Sequence, residues 1–120
     1  MVTGDDIRAI VRGLPRSYEV VVRDRVKWRV GRIVYLALSR DETVLGFAFP
    51  RDERAAVLAA EADLFLPPSP SDERYQWLQV RMDVLDVQRL EELVLDAWTM
   101  VVPKSVSNAW FTNSGSSPGR

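Results

Sequence analysis

Hydrophobic and polar positions change period several times along the chain, and each change marks an element. Ile7, Ile10, Val11 and Leu14 recur at helical spacing, so the chain opens on a helix with one buried face. Thr3 and Asp6 stand three apart at its start, the spacing at which hydroxyl and carboxylate satisfy free backbone donors in a capping box. Gly13 and Pro15 are expected to close this helix, the glycine in a left-handed terminal conformation.

From Tyr18 the period becomes two. Tyr18, Val20, Val22, Val26, Trp28 and Val30 hold one parity and Arg23, Arg25, Lys27 and Arg29 the other, which predicts strand with one wet face. A turn near Arg23-Asp24-Arg25 divides the run into two strands, and Gly31-Arg32 turns it again before the strand Ile33 to Leu38. Ser39 to Glu42 is a polar turn leading to a strand from Thr43 to Phe49. There Leu45, Phe47 and Phe49 share a face, while Gly46 and Ala48 leave the other small enough for close packing.

Asp52 begins a second helix that runs through Ala60 and is suited to cover a sheet. The three prolines between Leu66 and Asp72 make an extended connection, after which Tyr75 to Met82 alternates as a strand. Asp86 caps the longest helix, whose apolar stripe is Leu90, Leu93, Val94, Ala97, Trp98 and Val101, and Pro103 interrupts it. This order predicts an α+β domain, an antiparallel sheet packed against helices that lie mainly on one face. Residues 1–108 read as one domain and 109–120 as a C-terminal tail expected to be mobile. Trp110 and Phe111 either fold back as a hydrophobic clasp or stay exposed as a partner-binding anchor, whereas Trp28, Tyr35, Trp77 and Trp98 are expected in the core.

Composition narrows the chemistry more than the fold. The chain has no cysteine and no histidine, which removes thiolate nucleophiles, Cys/His zinc sites and any Ser-His-Asp triad. Its carboxylates fall on helix caps and solvated helix faces, and no glycine-rich phosphate loop is present. No catalytic residue, cofactor or metal site is therefore assigned, and the chain is read as non-enzymatic. Its first residues are acidic and lack an apolar stretch, so a cytoplasmic monomer without a membrane segment is expected.

Charge is close to balanced overall, at −1, yet residues 1–60 are net positive and 61–120 net negative. Arg23, Arg25, Lys27, Arg29 and Arg32 form a ribbon whose only nearby acid is Asp24. Cations spaced along a strand can follow phosphates, which makes the ribbon a candidate DNA contact. The same arginines can equally solvate a half-exposed sheet face, and a pI near 5.5 is unlike that of most DNA binders. A protein-interaction module using the sheet face or the aromatic tail is the alternative.

Four blocks occur in order: Trp28 to Tyr35, Phe49 to Arg54, Tyr75 to Val80, and Leu93 to Trp98 ahead of Val102-Pro103-Lys104. Together they resemble the YjbR/MmcQ family over roughly residues 3–108. The resemblance implies a frataxin-like (CyaY-like) α+β fold and a general DNA-binding label. The chain departs from the family pattern at the first hairpin, where Val20-Val21-Val22-Arg23-Asp24-Arg25 replaces a Gly/Pro-containing segment.

Overall fold

In the computed structural model, which describes residues 1–113, Arg23 and Asp24 alone turn the chain between β1 (Ser17–Val22) and β2 (Arg25–Val30). Both take positive φ, 52° and 67°, the backbone that a two-residue hairpin needs and that non-glycine residues adopt at a cost. The turn decides which side chains share a face. Val22 pairs with Arg25, Val20 with Lys27 and Tyr18 with Arg29, so even-numbered residues of β1 lie beside odd-numbered residues of β2. The single-parity reading is thereby corrected: Tyr18, Val20 and Val22 accompany the cations, while Val26, Trp28 and Val30 turn towards the core.

Gly31, at φ +61°, and Arg32 lead into β3 (Ile33–Leu38), which pairs antiparallel with β4 (Val44–Ala48). Between β2 and β3 the register slips by one: Trp28 faces Leu36 but Arg29 faces Val34. Tyr35 is the extra residue of this bulge and is fully buried, its hydroxyl sharing a hydrogen bond with Ser17 Oγ. After β4 a short 3-10 turn leads into α2 (Arg54–Ala60), then β5 (Phe65–Leu66) and β6 (Trp77–Arg81). The antiparallel sheet has the order β1-β2-β3-β4-β6-β5, with β6 inserted between β4 and the two-residue edge strand β5.

Two helices cover one face of this sheet. α1 (Gly4–Val11) starts with the Thr3–Asp6 capping box, and α3 (Val87–Thr99) starts at Asp86, whose carboxylate accepts from Arg89 N at 2.7 Å. Beneath them Trp28, Leu36, Phe47 and Leu78 form a row across β2, β3, β4 and β6, all buried and all in register. Ile7 of α1 and Leu90, Val94, Ala97 and Trp98 of α3 close over it. α2 buries no residue fully and packs at the β5 edge, so it covers less of the sheet than its composition suggests. There Arg89 holds Glu61 through two hydrogen bonds, at 2.8 and 3.2 Å, and lies over the Phe65 ring.

The first five residues of the expected tail, 109–113, are helical. Residues Lys104–Asn113 form α4, and Trp110 folds back: its Nε1 donates to Gly13 O at 3.0 Å, and its ring meets Trp98 edge-on at 5.7 Å. Trp98 Nε1 in turn donates to Pro15 O at 3.0 Å. Two indoles thus clamp the α1–β1 connection, where the left-handed residue is Arg16, at φ 66°, and not Gly13. Residues 114–120 of the expected tail lie outside the described residues.

Two outcomes follow from these local constraints. Replacing Arg23-Asp24 by Asn-Gly, which tolerates left-handed backbone, is expected to raise unfolding free energy by about 1 kcal/mol in urea titrations; no gain would mean that the turn carries no strain. Burial pushes the Tyr35 hydroxyl up to about 12 against an ordinary value of 10. Above pH 10 the unfolded chain releases this proton and the folded one keeps it, so stability falls as pH rises from about 10 to about 12. Tyr35→Phe is expected to remove that part of the alkaline slope in melts recorded across the interval.

Candidate functional site

The face of the sheet opposite α1 and α3 is built from the other half of each strand. Across its middle Lys27, Ala37, Gly46 and Gln79 stand in one row, followed by Leu66 on the short edge strand. The neighbouring row carries Ala48 beside Trp77. Small residues at Ala37, Gly46 and Ala48 make a low floor, and the flanking side chains rise around it. The result is a groove of about 630 Å³ with Arg25 and Lys27 on one side and Tyr75 and Trp77 on the other. Gln79 and Asp72 add hydrogen-bonding groups to its lining.

Gly46 determines how Trp77 lies. A Cβ at this position would stand 2.7 Å from Trp77 Nε1, 2.8 Å from Cζ2 and 2.9 Å from Cε2. The Nε1–Cε2–Cζ2 edge of the indole therefore rests on bare backbone, in space that any side chain would occupy. The small face expected at Gly46 and Ala48 is thus where close packing occurs. Trp77 itself is only half-buried, on the open face, which corrects its expected place in the core; it belongs to the row of Ala48 rather than to that of Phe47 and Leu78.

The segment before Trp77 is fixed by two arginines that were not among the expected site residues. Arg54, at the start of α2, donates to Tyr75 O at 2.8 Å, Trp77 O at 3.2 Å and Glu73 O at 2.7 Å. Arg51 donates to Arg74 O at 2.8 Å, and its backbone N–H reaches Gln76 Oε1 at 3.4 Å. Neither guanidinium forms an ion pair among the described residues. Their donors serve main-chain carbonyls of the irregular segment that leads into β6 and of Trp77 at its start. The readable signal was Phe49-Pro50-Arg51-Asp52-Glu53-Arg54 itself, which places both arginines at a strand-to-helix turn.

The five ribbon cations separate into two groups. Arg25, Lys27 and Arg29 alternate along β2, half-buried on the open face. Arg23 and Arg32 lie in the turns at either end and are exposed, so Arg23 is not a member of the strand face. None of the five forms an ion pair among the described residues. Arg25 Nε makes a long bond to Leu38 O at 3.5 Å, and Arg29 Nε is buried without a hydrogen-bond partner. Tyr18, across from Arg29, donates its hydroxyl proton to Gly31 O.

Elsewhere the charged groups are structural. Arg8 joins Glu19 at 2.9 Å and Asp5 at 3.1 Å, tying α1 to β1 at the surface. The Asp41 carboxylate, held below its ordinary range by donors from Thr43 and Ser39, organises the β3–β4 turn. Glu42 in the same turn accepts from Gly4 N at 3.0 Å, at the start of α1. Among the described residues no group of three or more acidic side chains is arranged to hold a metal ion, and no helix is long and apolar enough to cross a membrane.

Comparison with known proteins bears on the whole fold. A family model described as YjbR matches residues 12–100. The uncharacterized protein Rv2570 of Mycobacterium tuberculosis is 31% identical over an alignment covering 96% of this chain and 100% of that protein, and the uncharacterized protein Mb2600 of Mycobacterium bovis matches to the same extent. The crystal structure of Deinococcus radiodurans protein DR2400, a DUF419 domain, superimposes with a TM-score of 0.75 at 21% identity, covering 96% of this chain and 89% of the other. That likeness is one of fold.

The Gly46–Trp77 contact makes a direct prediction. Gly46→Ala is expected to push the indole off the floor, costing about 1–3 kcal/mol of stability and shifting tryptophan emission. The same substitution in a Trp77→Phe background should leave the emission unmoved, because the reporting ring is gone. An unchanged spectrum for Gly46→Ala alone would contradict the contact.

Proposed function

The chain belongs to the YjbR family, and from that premise we propose that its activity is non-enzymatic binding of single-stranded nucleic acid along the open face of the sheet. The observation that carries this reading is that Arg25 and Lys27, unpaired with any carboxylate among the described residues, line the same groove as Trp77 and Tyr75. Single strands need a cationic track for phosphates together with aromatic rings on which bases stack. Arg29 extends the track along β2, and Arg23 and Arg32 continue it at the turns.

Burial favours a single strand over a duplex. A hairpin wing that follows duplex phosphates presents its cations at an exposed tip, whereas Arg25, Lys27 and Arg29 are half-buried beside raised walls. A flexible strand can follow that recess and a rigid duplex cannot. The overall charge is near neutral and Asp72 lines the same groove, but no carboxylate pairs with the β2 cations among the described residues. The architecture also supports the frataxin-like reading, with α1 and α3 together on one face of an antiparallel sheet.

Of the two protein-interaction alternatives, the aromatic tail is the weaker, since Trp110 is engaged with Gly13 and Trp98. The open face remains available to a partner, and the same titration separates the two readings. Fluorescence anisotropy with labelled single-stranded and duplex oligonucleotides is expected to show tighter binding of the single strand. If three phosphates are contacted, affinity falls about twenty-fold between 50 and 200 mM salt. The variant Arg25/Lys27/Arg29→Ala should lose binding, whereas Arg12/Arg16→Ala, changed outside the ribbon, should keep it. Binding that is indifferent to salt, or that survives the triple variant, would overturn the proposal.

A further inference from the structure

We propose that the groove over Gly46 is a pocket for a single nucleotide unit, a planar ring joined to a phosphate. This deepens the reading above and shares two of its cations, but it makes a separate claim: the unit is recognised on its own, without the polymer.

The groove is of small-ligand size, about 630 Å³, with a floor of small residues and walls that mix polar, charged and aromatic side chains. Its parts are ordered across the sheet in the sequence that such a unit requires. Trp77 leans over Gly46 from the β6 side, presenting a half-exposed indole whose Nε1 has no hydrogen-bond partner among the described residues. Tyr75 stands beside it, 52% exposed, with Arg74 against its ring at 5.0 Å. Lys27 lies two strands away from Gly46 in the same row, about 10 Å at ordinary strand spacing. A ring packed against Trp77 therefore leaves its phosphate within reach of the flexible Lys27 stem and of Arg25 beside it.

Two further features distinguish this place from a generic sheet surface. The aromatic wall is held before any ligand arrives, because Arg54 and Arg51 tie down the carbonyls of residues 73, 74, 75 and 77. A binding group fixed in advance loses less freedom when it is used. The polar groups also face the ring's side of the groove: Gln79 and Asp72 offer a donor-acceptor pair and a carboxylate, which suit the edge of a nucleobase. An apolar peptide would leave Lys27 and Arg25 without an anion, and inorganic phosphate alone would leave the indole bare.

Calorimetric titration of the full chain with AMP, UMP, adenosine and ribose 5-phosphate tests this. At least one of the two mononucleotides is expected to bind, with adenosine, which lacks the anion, and ribose 5-phosphate, which lacks the ring, each at least ten-fold weaker. Lys27→Ala and Trp77→Leu should each weaken the mononucleotide ten-fold or more. Should Trp77→Leu fail to fold, Gly46→Ala serves in its place, since it displaces the ring without removing it. If oligonucleotides bind and neither mononucleotide does at millimolar concentration, the pocket is refuted and the cationic track stands. Mononucleotide binding without oligonucleotide binding would instead uphold the pocket, identify free nucleotide as its source and overturn the strand reading. Failure of both ligands would overturn both.

Discussion

The indole of Trp77 resting on the bare backbone of Gly46 is the contact on which the open face depends. It lets a large aromatic ring lie low over the middle of a sheet instead of standing upright, so the space above Ala37 and Ala48 stays vacant. A single methyl group on Gly46 would meet the indole at 2.7–2.9 Å and lift it from this position. The arginines at the start of α2 act on the same ring from the other side, by holding the carbonyls of the segment that delivers it. A contact and a clamp, made by residues far apart in sequence, together give the groove a fixed shape.

The remaining architecture follows from an unequal treatment of the two sheet faces. Burying the row Trp28, Leu36, Phe47 and Leu78 under α1 and α3 supplies the main hydrophobic stabilisation, and the described helices do not cover the opposite face in the same way. That face is left to side chains that tolerate water, and β2 meets the requirement with Arg25, Lys27 and Arg29. Solvating a sheet and attracting an anion are thus the same arrangement read for stability and for binding. What separates them is the absence of neutralising carboxylates: Arg8 and Arg89 elsewhere in the molecule have such partners, and the β2 cations have none among the described residues.

Much of this was legible in the residues. Period changes located the meander and the main helix, the Thr3–Asp6 spacing marked the first cap, and the small side chains at Gly46 and Ala48 announced a close approach. The errors share one physical origin: face assignment depends on pairing, which sequence parity does not encode. A two-residue turn exchanged the faces of β1 and β2, and pairing with Ala48 carried Trp77 out of the core. For the aromatic residues near the end two placements stayed open, for a related reason. α4 has little apolar periodicity of its own, and Trp110 is held by partners at Gly13 and Trp98 that only the tertiary fold brings near. The role of Arg51 and Arg54 was not legible because their acceptors are carbonyls, which every residue has.

The strand order also fixes when the molecule can exist during its own synthesis. β1 to β4 leave the ribosome as one continuous meander, but β4 gains its second neighbour only when β6, residues 77–81, has been made, and the row beneath α3 is covered only once residues 87–99 have followed. Until then Trp28, Leu36 and Phe47 have only α1 over them and lack the cover that α3 provides. The order of elements therefore makes this a domain that folds late and as a whole, with most of its length already translated before its first stable core can form.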